Sequence, residues 1–442
     1  MKKNLIHIFL LMLILTSSMA QAKGLLRDAE IERTLRLISH SLIKSAGLDE
    51  KEIQILVVND SSMNAFVING KAIFIHYGLI TRLKNVEQLQ SVIAHEIGHI
   101  TGGHFYQRIS NMGKAYNAAT IGTLLSTAIG LVSGEMTTTI GLVAGTNSAV
   151  KRAFLSNNRA QEASADQSGI RFMVDANINP KASLEVLNIF EGQNLLSSRR
   201  QDPYVLTHPL NSQRISNIKT FIDNYIPKKI TKKNNLDYLY ARMRAKFIGF
   251  TGNPKSTLQN IDINENLEIA TYIRSIAYHK MPNIKLAQLE IDRLIKIKPD
   301  DPFYNEMKGQ FLLEIGEAEA SVQAYKLATK LAPNELLISS GLGRAYNSIG
   351  NHKSALKVLK NVYNKGLRDG RMLYELARAY SQENLPGWAS LVTAERHALY
   401  GNFSSADTHA KRALNLLIKG SVGWLKAEDI FIQVQKNYKN KR

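Results

Sequence analysis

Between Asp28 and Ile43 the apolar residues Ile31, Leu35, Leu37, Ile38 and Leu42 recur at helical spacing, which predicts a helix packed on a core. The period then changes. Ile53-Gln54-Ile55-Leu56-Val57-Val58 reads as a strand, and Ala65–Ile68 and Ala72–Ile75 flank Asn69-Gly70, a strong hairpin signal. A small sheet is expected, with His76 at its end in a structural role and an edge open to an extended polypeptide. Gln90–Ile100 returns to an amphipathic helix, and a further helix-like segment runs from Arg159 to about Val174. Between them Ala118–Val150 is rich in Ala, Gly, Thr and Leu, but Glu135 interrupts it and its apolar pieces are short for a spanning hairpin. A pair of helices partly covering the active site and touching lipid or a membrane-embedded partner is the expectation there.

A basic, polar stretch from Pro227 to Asn235 reads as a linker, after which the pattern is helical throughout. Pro299 and Pro333, Gly309 and Gly343, Gly316 and Gly350, and Tyr346 and Tyr380 are each 34 residues apart. That period belongs to tetratricopeptide (TPR) repeats, in which each helix pair buries its apolar stripe against the next. Looser pairs precede it (239–261 and 270–297), and a half-register unit runs from Trp388 to Leu417. Asn384-Leu385-Pro386 predicts a break in register and a distorted array. The expected division is a leader over 1–22, an α+β domain over 23–228 that is mostly helical with a small sheet, and a separable all-α TPR solenoid over 235–440.

The chain has 442 residues, enough for two or three domains. Lys2-Lys3, an apolar run from Leu5 to Leu15 and Ala20-Gln21-Ala22 have the form of a secretory signal peptide cleaved after Ala22. No cysteine occurs, so export without disulfides points to a bacterial periplasm, and any metal must be held by His and carboxylates. The formal charge of +19 is uneven: 231–442 carries 32 basic and 20 acidic residues, against 22 and 17 in 23–230. The basic surplus of the second half favours acidic proteins or anionic surfaces, and no nucleic-acid motif accompanies it.

The chemistry lies in His95-Glu96-Ile97-Gly98-His99. Histidines four apart share a helical face, so both imidazoles can aim at one point. Such a point suits a tetrahedral Zn²⁺ ion, which takes imidazole nitrogens at about 2.0–2.1 Å. Glu96 projects beside it, placed to take a proton from the attacking water and return it to the leaving amine. His104, five residues past His99 and about 140° around a continuing helix, cannot share the ion, and the metzincin position six past His99 is Phe105. The third ligand is expected at Glu162. Asp166 lies four residues on along the same face, and one carboxylate of the two can bind the ion while the other accepts a ligand histidine's second N–H.

His-Glu-x-x-His followed by Glu162-x-x-x-Asp166 in its Arg-x-x-Glu-x-x-Ala-Asp context resembles the HtpX/prenyl-protein-peptidase family of zinc metallopeptidases. Asn64-Ala65-Phe66, Gly70 and the Ile-Phe-Ile strand are similar to that family's segment before the catalytic helix. The resemblance covers Asn64 to Asp166. It implies one zinc per chain on His95, His99 and Glu162, Glu96 as general base and Asp166 orienting a ligand. Many members span the membrane; this chain is closer to the periplasmic ones with a C-terminal repeat domain. His208-Pro209 followed by Arg214 also recurs in the family, and His208 would either stabilise the oxyanion or occupy the fourth zinc position. Arg214 would orient substrate carbonyls or brace the loop. The implied activity is an exported zinc endopeptidase that degrades or trims misassembled envelope proteins, its repeats recruiting substrate or the outer-membrane assembly machinery. The alternative is an assembly chaperone or adaptor with a latent peptidase site.

Overall fold

The computed structural model describes residues 24–115, 158–197, 200–226, 235–262 and 265–439. The expected leader, the Ala118–Val150 segment and the linker from 227 to 234 lie outside the described residues. The first part opens with β1 (Leu25–Leu26) and α1 (Ala29–Ser45), whose N-cap Asp28 accepts from the Ile31 amide. Three strands follow: β2 (Gln54–Val58), β3 (Ala65–Ile68) and β4 (Ala72–His76). The sheet order is β1-β2-β4-β3, with β2 and β4 parallel and the other pairs antiparallel. Asn69 and Gly70 take positive φ of 52° and 68°, the handedness a two-residue hairpin turn requires. His76 is held by Ser62 Oγ at 3.0 Å and lies within 3.5 Å of Asp60.

Then come α2 (Tyr77–Arg82), α3 (Val86–Thr101) and α4 (His104–Ala115). After the undescribed segment follow α5 (Arg159–Asp175), α6 (Lys181–Ile189), α7 (Pro203–Thr207) and α8 (Ser212–Asp223). α3 runs through the middle of this assembly, and nearly all of its residues are buried. Its apolar side chains Leu89, Val92, Ile93 and Ile97 share one core with Leu35 and Ile38 of α1, Val67 and Ile73 of the sheet, and Ile170 and Met173 of α5.

The remaining elements are paired helices: α9 (Leu236–Thr251) and α10 (Pro254–Gln259), α11 (Leu267–Lys280) and α12 (Ile284–Ile297), α13 (Pro302–Glu314) and α14 (Ala318–Leu331). Beyond them lie α15 (Leu336–Ser348) and α16 (His352–Asn364), α17 (Gly370–Gln382) and α18 (Pro386–Leu399), and α19 (Phe403–Leu416) and α20 (Val422–Lys439). The break expected at Asn384-Leu385-Pro386 is absent. Helices α14, α16 and α18 start at Ala318, His352 and Pro386, each 34 residues after the last. Pro386 takes the first position of α18, where its missing N–H has no helical partner to lose, and Asn384 turns the chain with a φ of 56°.

The two parts are not packed independently, against the expectation of a separable solenoid. Tyr240, Met243 and Phe247 of α9 belong to the same core as α3, and the Tyr240 hydroxyl donates to the carbonyls of Ile80 and Leu83. Ala29, at the start of α1, sits in a cluster with Phe303, Val322 and Tyr325 of the repeats. Buried charges join the two parts: Arg242 pairs with Glu30 at 2.7 Å and with Asp301, and Lys246 pairs with Asp28 at 2.7 Å. The Tyr272 hydroxyl donates to Glu30 at 2.6 Å.

Because α9 serves both parts, Phe247→Ala is expected to destabilise by about 3–5 kcal/mol, with the thermal unfolding of both parts shifting together. A shift confined to the repeats would contradict the shared core. Glu306 lies in the same interface. Burial pushes its carboxyl up to about 8 from 4.5, with Lys246 opposing and Asp28 and Glu30 adding to the rise. The folded chain then holds a proton that the unfolded chain releases, so stability falls as pH rises from 4.5 to about 8. Glu306→Gln should therefore raise the melting temperature more at pH 8 than at pH 5; an equal effect at both would show that this carboxyl does not titrate there.

Candidate metal centre

Two capped helices build the site. Asn85 caps α3 by accepting from the Gln88 amide, and Asn158 and Gln161 form a reciprocal capping box at the start of α5. The helices cross where Gly98 faces Ala165; a Cβ at position 98 would lie 2.6 Å from the Ala165 carbonyl oxygen. This close approach lets one face of α3, carrying His95 and His99, meet one face of α5, carrying Glu162 and Asp166. His208 comes from the loop after α7, its ring tilted against Tyr204 at 4.6 Å. Arg214 rises from the first turn of α8, which Asn211 caps.

The seven residues singled out from sequence meet in one buried cluster. His95 Nε2 lies 3.1 Å from His99 Nε2, 3.3 Å from Glu162 Oε2 and 3.2 Å from His208 Nδ1. Glu162 Oε1 is 3.3 Å from His99 Nε2 and 3.1 Å from His208 Nδ1. Four ligand-type atoms thus surround one point. Bonds of 2.0–2.1 Å in a tetrahedron would separate ligand atoms by about 3.3 Å, so the observed separations fit a zinc-sized ion. Among the described residues this is the one group of three or more His and carboxylates arranged to hold a metal.

The surroundings fix each ligand. His95 Nδ1 faces Asp166 Oδ1 at 2.9 Å, and Arg214 grips both oxygens of Asp166 at 2.7 and 2.8 Å. Arg214 also approaches Glu162 at 2.8 Å and donates to the Pro209 carbonyl at 3.1 Å. Its guanidinium is buried and tied to Asp166, Glu162 and the carbonyls of the loop that carries His208. His208 Nε2 lies 2.9 Å from the Ala65 carbonyl, at the start of β3, which leaves Nδ1 to face the ligand cluster. Glu96 is wholly buried beside the cluster; its Oε1 lies 3.3 Å from His208 Nε2, and neither of its carboxylate oxygens is hydrogen-bonded within the described residues.

The field of the site calls for positive charge. Burial disfavours a charged His95, yet Asp166 and Glu162 outweigh it and raise that imidazole to about 10. Burial lowers His99 to about 3, with Glu162 opposing. Glu162 stays well below the usual carboxylate range because His208 and His95 overcome its desolvation, whereas burial raises Glu96 against the pull of His208 and His95. A divalent cation among these atoms meets the demand that a single proton meets in part.

Residues 27–222 match peptidase family M48. This stretch is an M48 peptidase domain, and the chain is a metalloendopeptidase. The M48 domain carries the whole cluster. The β-barrel assembly-enhancing protease of Escherichia coli (strain K12) is 23% identical over 425 residues, which span 94% of this chain and 86% of that one. The mitochondrial metalloendopeptidase OMA1 of Saccharomyces cerevisiae is 28% identical over 187 residues, 41% of this chain and 50% of that one. Among solved structures, the MamA RS-1 ArsTM double mutant is 18% identical, with a TM-score of 0.31 over 40% of this chain and 97% of that one. No helix among the described residues is long and apolar enough to cross a membrane.

Sequence reading passed over two neighbours of the M48 site. His104 was set aside on the assumption of a continuous helix, but α3 ends at Thr101 and His104 lies buried beside His99. Tyr204, which orients His208, carries no signal in the sequence beyond its place four residues earlier.

Proposed function

We propose that this metalloendopeptidase is a zinc enzyme of the bacterial periplasm that degrades or trims misassembled outer-membrane polypeptides. One ion per chain is held by His95, His99 and Glu162, and the helical repeats recruit substrate or an outer-membrane assembly partner. The observation that carries the reading is the Glu96 carboxylate, buried beside four converging ligand atoms with no hydrogen bond among the described residues and its Oε1 3.3 Å from His208 Nε2. A carboxylate left in that condition costs several kcal/mol of desolvation and is retained where it handles a proton. The names of the relatives supply the envelope context, and the paired helices at a 34-residue period supply a surface of the kind that binds polypeptides.

When bound, zinc supplies Lewis acidity toward a water and the scissile carbonyl. Glu96 accepts the proton of the attacking water and delivers it to the leaving amine nitrogen. Asp166, held by Arg214, fixes the His95 ring so that Nε2 points inward. His208, with Nδ1 among the ligand atoms, would serve as a fourth ligand in the resting enzyme, and would then have to leave that place for an attacking water.

Full-length protein is expected to contain about one zinc per chain, and Glu162→Ala should bind it far more weakly in chelator competition, because Glu162 is the one anionic ligand beside three imidazoles. Glu96→Gln should keep the metal while casein hydrolysis falls by about 10²–10⁴. Metal-replete Glu96→Gln enzyme with wild-type turnover would remove the base assignment, and an envelope phenotype that survives this change would favour the chaperone reading. His208→Ala is expected to raise basal cleavage. A loss of about 10²–10³ in kcat would make it an oxyanion stabiliser instead.

A further inference from the structure

His104 has no part in the ligand set, yet its Nδ1 lies 2.7 Å from His99 Nδ1, and the ring is buried. The local chain is arranged for this contact. Gly103 takes a φ of 63°, which ends the run of α3 and turns the backbone, and α4 begins at once with His104. Gly102 leaves the room: a Cβ there would lie 2.4 Å from His104 Nε2 and 2.8 Å from Cε1. The glycine pair therefore folds the His104 imidazole back against the outer edge of His99.

We infer that His104 is a positioning residue, whose Nδ1 accepts the hydrogen of His99 Nδ1 and holds the His99 ring with Nε2 aimed at the metal. The inference rests on His99 being a ligand, as proposed above. A ligand nitrogen needs its lone pair, so the hydrogen of His99 sits on Nδ1 and must be donated. The only orientation compatible with a 2.7 Å contact puts the lone pair of His104 on Nδ1 and its hydrogen on Nε2. The two histidine ligands are thus braced differently. His95 leans on a carboxylate, Asp166, which Arg214 neutralises. His99 leans on a neutral ring, which orients it without adding a further buried negative charge to those of Glu96, Glu162 and Asp166.

The test uses the full chain and measures zinc dissociation by chelator competition, the melting temperature of metal-free protein, and casein turnover. His104→Leu fills the space but cannot accept a hydrogen bond, whereas in His104→Asn the amide oxygen stands near the position of Nδ1 and can. Zinc affinity and kcat should fall by about 10–100-fold in His104→Leu and stay within a few-fold of wild type in His104→Asn, with metal-free melting temperatures alike. Gly102→Ala, which pushes the ring aside, should weaken zinc binding alone but add little in a His104→Leu background. Wild-type affinity in His104→Leu, or equal losses in the Leu and Asn variants, would overturn the inference. Should His104→Leu fail to fold, ¹⁵N-histidine spectra of zinc-loaded wild type decide it: a hydrogen on His104 Nδ1 overturns it, and one on Nε2 supports it. His99→Ala protein that keeps its zinc would instead show that the ligand assignment itself is wrong.

Discussion

The contact between the backbones of α3 and α5 underlies the rest of the site. Glutamate and histidine side chains reach only a few ångströms from their helices, so ligands on two helices converge only if the axes come close. Gly98 permits this, since a Cβ there would meet the Ala165 backbone at 2.6 Å from its carbonyl oxygen. Everything around the pair serves to hold it there. The sheet, α1 and α6 pack on the other faces of α3, and α8 delivers Arg214 across the end of the crossing. The chemistry is carried by polar atoms, but their placement is decided by an absent methyl group.

Two buried ionic clusters organise the molecule, and they are balanced by different means. At the junction of the two parts, Asp28, Glu30 and Asp301 face Arg242 and Lys246, and the further carboxyl of Glu306 is pushed up to about 8 by burial and keeps its proton at neutral pH. In the M48 site Arg214 takes Asp166 and part of Glu162, while Glu96 has His208 Nε2 at 3.3 Å and no hydrogen bond among the described residues. Burying such groups is costly, and a chain that leaves one cluster short of positive charge relies on something from outside to complete it. The first cluster therefore reads as architecture and the second as a place for an ion.

Much of this was legible along the chain because spacing is a local property. The i,i+4 pairs of α3 and α5 and the Asn-Gly turn follow from helix and strand periods, and the 34-residue recurrence follows from stacking. What escaped depended on where the period stops or on contacts across the fold. His104 stays outside the ligand set, as the angle argument has it, but its contact with His99 lies beyond that argument, which assumes a continuing helix that Gly103 ends. Pro386 was taken for an interruption, although proline at the first turn of a helix starts one. The partition at 235 failed to see that α9, polar enough to resemble any repeat helix, turns Met243 and Phe247 into the core around α3. No pattern within α9 distinguishes the neighbour it will bury against.

The pairing of Arg36 with Glu335, 299 residues later in sequence, bears on how the molecule assembles. Helix α1 emerges among the first structured residues, but one of its faces is completed only by helices near the middle of the repeats. Closing so long a loop is entropically slow, and until it closes the N-terminal helix remains half-solvated. Helix α3, which carries His95 and His99, packs against that same α1. Assembly of the ligand cluster is therefore tied to synthesis of the chain at least as far as α15, so a truncated or stalled product would lack a fully supported peptidase.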